Sequence, residues 1–297
     1  MGALGFGLRR NSRQKRKRIM KKTKYLFAIV VFCSLQGCGF YIPFSSSRSF
    51  TLAIWNIGNF SNGAKAHSTI DITQNPNIGR EYYDFINKTI NPDVMVLNEY
   101  DDVFFKDRNG KEIYADSILF NNFRYRFIGP RWWKCNAIFS KYKIDNLDND
   151  KEIVRYFTSH KAIKDDIKVS KRKTYYLETT MEVRGSRIKI VVVHIDHSQT
   201  ISGIYQQAQI AELVEKYKNE KQVIICGDFN THNLSKFKDS GFHVANNGSF
   251  KTYPLKGHAI DNIVYKGVIV SKVHMLSTNL SDHNPLMCTI TLPWFIL

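Results

Sequence analysis

The chain has 297 residues, of which 43% are hydrophobic and 13% aromatic, so it can form one large domain with a substantial core. Its formal net charge is +17, but residues 1–38 hold ten of the 43 Lys and Arg residues and no acidic residue, so the remainder carries only +7. The charge is therefore weak evidence for nucleic-acid binding, and the odd set Cys135, Cys226 and Cys288 argues against a disulfide scaffold, with Cys226 and Cys288 expected as buried thiols.

The first predicted element is an export signal. Three lysines within residues 21–24 precede an apolar run, 25–35, that is too short to span a bilayer comfortably. The run ends in the sequence LQGC (35–38), which resembles the bacterial lipobox, where the Cys is lipidated and becomes the first mature residue. We therefore predict that residues 1–37 are a basic leader and lipoprotein signal peptide. Cys38 would be lipidated and would hold the protein to a membrane of the bacterial cell envelope.

Two alternatives for this segment remain open, an ordinary signal peptide and a short membrane anchor. Met20 followed by two lysines is also a natural signal start, so residues 1–19 are either an upstream extension or part of a long basic leader.

Residues 38–49 are predicted to be a polar tether and residues 50–297 a single domain. Apolar runs of strand length recur through this domain, and several are β-branched and unbroken, as expected of strands buried on both faces. The clearest runs are 51–57, 94–97, 136–139, 175–183, 187–195, 222–226, 260–265 and 285–292. Helical spacing joins Ile78 to Ile90 and Ile204 to Tyr217, so strands and helices alternate as in an α/β layered domain.

Polar side chains follow these apolar strands at the points where the strands end. A charged group at the end of a buried strand costs free energy unless it is paired or bound to a cation. Several such groups in one chain predict a shared cleft at the edges of the sheets. Carboxylate and amide oxygens with His but without Cys suit a hard cation such as Mg²⁺ or Mn²⁺. The residues are Asn56, Glu99, His194, Asp228, Asn230, Asp261, Asp282 and His283.

The order of seven short motifs resembles the endonuclease/exonuclease/phosphatase superfamily. They are WNIGNF (55–60), LNEY (97–100), NAIFS (136–140), HIDH (194–197), GDFN (227–230), IDN (260–262) and SDHNP (281–285). The resemblance spans residues 51–291. The resemblance implies a four-layer α/β/β/α sandwich, in which two mixed β-sheets pack face to face and helices lie outside.

The resemblance also implies a metal site. Glu99 would be the principal ligand of Mg²⁺, with Mn²⁺ as an alternative ion. Asn56 would lie beside Glu99, and Asp282 would be a further carboxylate in contact with the metal. On its own, Asn56 is better explained as a turn residue at the end of a strand, and Glu99 is also compatible with a solvated strand end.

Five residues take catalytic roles by the same resemblance. Asp228 and Asn230 would orient the attacking water and hold the phosphate. His283 and Asp261 would form a pair in which the carboxylate fixes the imidazole tautomer. His194 would donate to a phosphate oxygen or assist the leaving group.

Four further residues are candidate substrate contacts: Asn136, His197, Arg131 and Lys134. Arg131 and Lys134 flank two tryptophans in a basic and aromatic stretch of the kind found on nucleic-acid surfaces. The alternatives are core tryptophans and solvated charges. Asn98 is a departure, because many family members have Gln before the metal-binding Glu.

These observations predict a metal-dependent phosphodiester hydrolase, most specifically a nuclease that acts as a monomer on nucleic acid or another phosphodiester. A phosphatase or sphingomyelinase-like phospholipase is the second hypothesis, because loops rather than chemistry choose the substrate in a shared fold. An inactive binding lipoprotein is the third. It is disfavoured because every expected catalytic position is filled.

Overall fold

The structure, a computed structural model, describes residues 48–60, 77–106, 109–130, 135–158, 174–197 and 204–293. The predicted leader with Cys38, most of the tether, and the stretch that contains Arg131 and Lys134 lie outside the described residues. Among the described residues, no helix is long and apolar enough to cross a membrane.

Fifteen strands are found in the described part of the chain. They are β1 (Ser49–Asn56), β2 (Val94–Tyr100), β3 (Val103–Lys106), β4 (Glu112–Tyr114), β5 (Tyr125–Ile128), β6 (Cys135–Ser140), β7 (Lys143–Ile144), β8 (Val154–Tyr156), β9 (Tyr175–Val183), β10 (Ser186–His194), β11 (Val223–Asp228), β12 (His243–Val244), β13 (Asp261–Lys266), β14 (Ile269–Met275) and β15 (Leu286–Thr291).

Helices lie between the strands. They are α1 (Ile78–Asp84), which continues as a π-helical stretch (Phe85–Ile90), α2 (Ala115–Leu119), α3 (Asp150–Ile153), α4 (Ile204–Tyr217) and α5 (Ser235–Asp239). Short 3₁₀ turns occur at Gly58–Phe60 and Pro254–Lys256.

Two mixed sheets form the centre of the domain. The first has the order β14-β15-β1-β2-β6-β5, and its only parallel pair among the described strands is β1 with β2. The second has the order β12-β13-β11-β10-β9-β7, with β8 paired to β9, and there β10 and β11 are parallel. Each parallel pair brings two strand carboxyl ends to one edge of its sheet.

Alternation of side chains along the strands produces four layers. Leu52 and Ile54 of β1 point into a core between the sheets, which also contains Ile190 and Ile224 of the second sheet. Their neighbours on β1 point the other way, because successive side chains of a strand alternate between its faces. That outer face of the first sheet packs on α1 and α2.

The outer face of the second sheet packs on α4 and α5 in the same way. Ile210, Leu213 and Tyr217 are fully buried at helical spacing and meet Val191 and Val193 of β10. Three apolar cores therefore separate four layers, so the predicted α/β/β/α sandwich with two face-to-face mixed sheets is confirmed.

All eight predicted strand runs overlap observed strands, and both predicted helices are present. Cys226 and Cys288 are buried free thiols in the core between the sheets, as expected. The predicted boundaries of the leader, tether and domain stay predictions.

Candidate active site

The strand-end polar residues converge at one edge of the two sheets. Asn56 ends β1 beside Asn98 of the parallel strand β2, and His194 ends β10 beside Asp228 of β11. Asp261 begins β13, where it is the antiparallel partner of Asp228. The register alone therefore places these polar groups together, because the carboxyl ends of parallel strands share an edge.

Asn56 connects the two sheets through its side-chain amide. Its Nδ2 donates to Asp228 Oδ2 at 3.0 Å and to Glu99 Oε1 at 3.3 Å, while its Oδ1 accepts from the Gly58 backbone N–H. As placed, Asn56 is a hydrogen-bond donor to two carboxylates. Its predicted role beside the metal stays a prediction.

His194 faces the same two carboxylates. Its Nε2 lies 3.8 Å from Glu99 Oε1 and 3.7 Å from Asp228 Oδ2. The side chains of His194 and Glu99 are 12% and 13% exposed, whereas that of Asp228 is only 2% exposed. Glu99 and His194 thus border the opening of the site, and Asp228 lies below them.

Asp261 and His283 form a buried pair. His283 Nδ1 lies 2.8 Å from Asp261 Oδ2, and both residues are almost fully buried. Burial on its own would lower the pKa of His283, but the adjacent Asp261 carboxylate outweighs it and raises the pKa to about 10. The Asp261 carboxylate thus favours the protonated form of the His283 imidazole.

Burial also raises the pKa of Asp228, and the nearby charge of Asp261 adds to the increase. His283 and His194 act in the opposite direction, because a cation favours the carboxylate form. A buried carboxylate with a raised pKa is better suited to accept a proton than an ordinary Asp is.

Three residues outside the predicted set hold His283 in place. Trp55 Nε1 donates to the backbone carbonyl of His283 at 2.9 Å, and Ser281 Oγ accepts from its backbone N–H at 3.1 Å. The Tyr253 ring stacks on the imidazole with centroids 4.8 Å apart. The serine of SDHNP could have been noticed in the sequence, but no sequence signal identified Tyr253.

The GDFN segment (227–230) is fixed by close backbone approach. Gly227 has φ 132°, and a Cβ there would lie 2.1 Å from the carbonyl oxygen of Val193, so only glycine fits. The next turn is closed by Asn230, whose backbone N–H donates to Asp228 Oδ1 at 2.7 Å and whose Nδ2 donates to the carbonyl of Ile195. Asn230 and Asp228 therefore form one unit at the end of β11.

Asn98 is a buried connector that the sequence did not assign. Its Nδ2 donates to Asn136 Oδ1 and to the carbonyl of Val193, both at 2.8 Å, and its Oδ1 accepts from the Asp228 backbone N–H at 2.9 Å. The side chain is fully buried and bonds to three strands other than its own. The departure from the family pattern at position 98 is thus a satisfied structural amide.

Glu99 follows at an irregularity in β2. The pairing of β2 with β6 shifts between Leu97 and Tyr100, and Glu99 has φ 51°, in the left-handed region. This conformation is uncommon for a residue other than glycine and concentrates at functional sites. It directs Glu99 toward the cleft rather than along the regular alternation of the strand.

The remaining predicted site residues differ in how exposed they are to solvent. Asp282 is half-buried next to Ser281, and His197 is exposed. Asn136 is 1% exposed, and its side chain bonds to Asn98 and to the Tyr175 carbonyl, so it lies behind the cleft in this structure. Their predicted contacts with metal or substrate stay predictions, as do those of Arg131 and Lys134.

The donor set at this edge fits a divalent cation. Ligand atoms of Asp228, Asp261 and His283 lie within 4.8 Å of one another, and Asp261 Oδ1 is buried without a hydrogen-bond partner among the residues that the structure describes. His283 Nδ1 is already bonded to Asp261 Oδ2, so a cation at this cluster would have to bind the other ring nitrogen of His283, Nε2. Glu99 and Asp228, which share Asn56, offer the oxygen-rich side that a hard cation prefers.

A family model described as "Endonuclease/Exonuclease/phosphatase family" matches residues 53–283. This match covers well over half of the chain, so the chain belongs to that family, whose members hydrolyse phosphoester bonds and typically use a divalent metal.

Solved structures share the fold. The chain is similar to an endonuclease/exonuclease/phosphatase from Beutenbergia cavernae DSM 12333, with a TM-score of 0.61 and 16% identity over 82% of this chain and 72% of that one. It is also similar to the human Nocturnin catalytic domain, with a TM-score of 0.56 and 18% identity over 83% and 96% of the two chains. At such identities the likeness shows the fold alone.

A curated relative matches a smaller part. The UPF0294 protein VV2535 of Vibrio vulnificus (strain YJ016) is 29% identical over 114 residues, which are 35% of this chain and 40% of that protein. The chain thus spans less than half the length of the curated relative that it matches.

Proposed function

We propose that this chain is a divalent-metal-dependent phosphodiesterase, and more specifically a nuclease. The observation that carries the proposal is the convergence of Glu99, His194, Asp228 and the Asp261–His283 pair at one edge of two sheets. In-line hydrolysis of a phosphodiester requires an oriented water, neutralisation of charge on the phosphate and a protonated leaving oxygen. The residues at this edge can supply all three.

The proposed reaction begins with a water held by Asp228 and Asn230. The water oxygen attacks phosphorus, its proton passes to the Asp228 carboxylate, and the bond from phosphorus to the leaving oxygen breaks. His283, kept protonated by Asp261, donates a hydrogen bond to a non-bridging oxygen as its charge grows. His194 gives a proton to the leaving oxygen. Bound Mg²⁺ or Mn²⁺, held largely by Glu99 with Asp228 and Asp282 nearby, would neutralise phosphate charge.

Nucleic acid is the proposed substrate class. The chain beyond residue 38 carries +7, and the basic and aromatic stretch that contains Arg131 and Lys134 precedes β6 in the sequence. Lys and Arg contacts to phosphates release counterions, so binding should weaken as the salt concentration rises.

A lipid phosphodiester is the second candidate, and one observation favours it. Leu255 is 72% exposed at the tip of the turn that follows Tyr253, the residue stacked on His283. Contact with a lipid surface would remove this apolar side chain, close in sequence to the site, from water.

The experiment is a substrate panel with purified protein that lacks the predicted leader, assayed with Mg²⁺ on plasmid DNA, RNA, sphingomyelin vesicles and a chromogenic diester across a salt series. DNA nicking that falls with salt supports the nuclease, whereas vesicle cleavage without nicking supports the lipid candidate.

Glu99→Gln in the same panel tests the metal mechanism and the inactive-lipoprotein hypothesis. It removes the charge that attracts Mg²⁺, so activity should fall by about a hundredfold or more, with the circular dichroism spectrum unchanged. Glu182→Gln is the matched control, because Glu182 is an exposed glutamate on β9. Wild-type activity that survives EDTA would contradict a metal-dependent mechanism.

We further propose that the protein is lipid-anchored at Cys38 in the bacterial cell envelope and acts as a monomer. The support is the sequence of the leader: lysines, a short apolar run and LQGC (35–38).

A further inference from the structure

A cationic pocket lies beside the candidate active site. Its volume is about 320 Å³, within the range of about 300 to 1,000 Å³ that is usual for ligand sites. The segment after β11, helix α5, strand β12 and the loop before β13 enclose it. The side chains that matter here are His232, Lys238, Lys251 and His258, with Leu234 and Val244 as apolar walls.

The charge of this pocket has one sign. Among the described residues that line it, none is acidic, whereas two are lysines and two are histidines. Lys238 and Lys251 form no ion pair with a carboxylate in the described part of the chain, and both are exposed to solvent. Unpaired cations in a concave site with low-dielectric walls concentrate anions from solution. The chemistry of the pocket is that of a phosphate site.

The pocket and the candidate active site share their supporting segments. His232 lies two residues after Asn230, and the pocket residue Ala259 lies two residues before Asp261. The backbones of Tyr253 and His258 exchange two hydrogen bonds, at 2.9 and 3.0 Å, and Tyr253 stacks on His283. A ligand in the pocket would therefore contact the same two loops that carry Asn230 and Asp261.

The pocket is also preformed. Asn246 is buried, and its Oδ1 accepts from the backbone N–H groups of Gly248 and Phe250 at 3.2 and 3.1 Å. Its Nδ2 donates to the Phe250 and Asp261 carbonyls at 2.8 and 3.3 Å. This buried side chain fixes one wall of the pocket to the first residue of β13.

We propose that this pocket binds a second, non-scissile phosphate group of the substrate. The inference rests on the proposed phosphodiesterase function and narrows it, because it requires a substrate that carries at least two phosphate groups. A substrate with one phosphate would leave the pocket unused.

The test compares bis(4-nitrophenyl) phosphate, which has one phosphate, with a six-nucleotide single-stranded thymidine oligonucleotide. Lys238→Ala and Lys251→Ala should each raise KM for the oligonucleotide about threefold to tenfold, with kcat and the rate on the one-phosphate diester unchanged. Lys236→Ala is the matched control, because Lys236 is exposed on the same short helix as Lys238 and does not line the pocket.

Calorimetry with inorganic pyrophosphate, on the full chain in EDTA, provides a readout that does not depend on activity. Binding should weaken in the two pocket variants and stay unchanged in Lys236→Ala. Equal binding in all four proteins, or equal losses on both substrates, would overturn the pocket assignment. If the wild-type chain hydrolyses neither diester, the proposed function fails, and calorimetry still decides whether the pocket binds phosphate.

Discussion

Asp261 is the first residue of β13 in the second sheet, and His283 belongs to the SDHNP motif (281–285). Their side chains are buried against each other. A carboxylate buried beside an imidazole both orients the ring and holds its proton. If that is their function, the two residues serve the same chemical step and neither can act without the other.

His283→Ala and Asp261→Ala are therefore expected to be strongly non-additive. Each single variant should lower kcat by about 10²- to 10⁴-fold, and the double variant should be little worse than either one. The measurement is kcat on the chromogenic diester for the wild type, the two single variants and the double variant.

Urea unfolding of the same proteins is the control, because a single substitution leaves one buried group without its partner and lowers the free energy of unfolding. Losses that multiply in the double variant would show that the residues act independently.

At the residue scale, the sequence predicts which polar residues lie together at the cleft better than it predicts the side chains that support them. Apolar runs stop at Asn56, His194 and Asp228, and the strands end at these residues. Glu99 instead lies one residue before the end of β2, at an irregularity in its pairing. The role of Asn98 was not predictable, since its three bonds join strands that are distant in the sequence.

At the scale of elements, helix α4 is attached to the second sheet through the partly buried carboxylate of Glu178. Glu178 of β9 accepts from Tyr217 Oη at 2.6 Å and is paired with Lys216 and Lys189. Burial on its own would raise the pKa of Glu178, but the hydrogen bonds from Lys216 and Tyr217 outweigh it and lower the pKa below its ordinary value of 4.5.

A lowered carboxylate pKa makes the folded state more stable above the unfolded pKa, and this stabilisation is lost as the pH falls through the folded pKa. Glu178→Gln should therefore lower the free energy of unfolding by roughly 1 to 2 kcal/mol at pH 7 and by much less at pH 3. Urea unfolding at both pH values measures the difference.

Glu182→Gln is the matched control, because Glu182 lies on the same strand but is exposed. It should change the free energy of unfolding by less than about 0.5 kcal/mol at either pH. A Glu178→Gln deficit that is equal at pH 3 and pH 7 would mean that charge does not contribute to this attachment.

Long strands whose side chains are mostly buried are predictable from the sequence, whereas short or exposed strands are not. β9 is predicted with its observed bounds, because apolar residues are either consecutive or alternate with polar ones over nine residues without a Gly or Pro. β14 was missed, because it is an edge strand with exposed positions and an irregularity between Ser271 and His274. The π-helical end of α1 is also not predictable from the sequence. Over six residues, the spacing of apolar side chains is the same within error for an α-helix and for a π-helix.

At the scale of the whole molecule, the site needs both sheets. Glu99 belongs to the first sheet and Asp228 to the second, and Asn56 joins them. A phosphoester site of this kind therefore exists only when the whole sandwich is folded. The order of the motifs in the sequence predicts that residues from both sheets share one cleft. The distances between these residues depend on how the layers pack and are not predictable from the sequence.

The sequence of the predicted leader indicates that the protein is anchored to a membrane through a lipid. Residues 1–37 should be absent from the mature protein and Cys38 should carry the lipid, because a lysine cluster, a short apolar run and LQGC (35–38) follow one another. Mass spectrometry of protein extracted from membranes should find an N-terminal peptide that begins at a lipid-modified Cys38.

Cys38→Ser is the control and should prevent the modification. A mature protein that starts at another residue and is recovered without detergent would contradict the lipid anchor.

The left-handed backbone conformation of Glu99 costs folding free energy at a position where the proposed chemistry requires a carboxylate. Glycine would adopt φ 51° at little cost, whereas glutamate is expected to lose about 1 kcal/mol there. Selection for thermal stability alone would consequently tend to replace Glu99, whereas selection for hydrolysis would keep it if Glu99 has the metal-binding role proposed above. Any programme that engineers a more robust variant of this protein should therefore hold position 99 fixed and seek its gains in the three apolar cores.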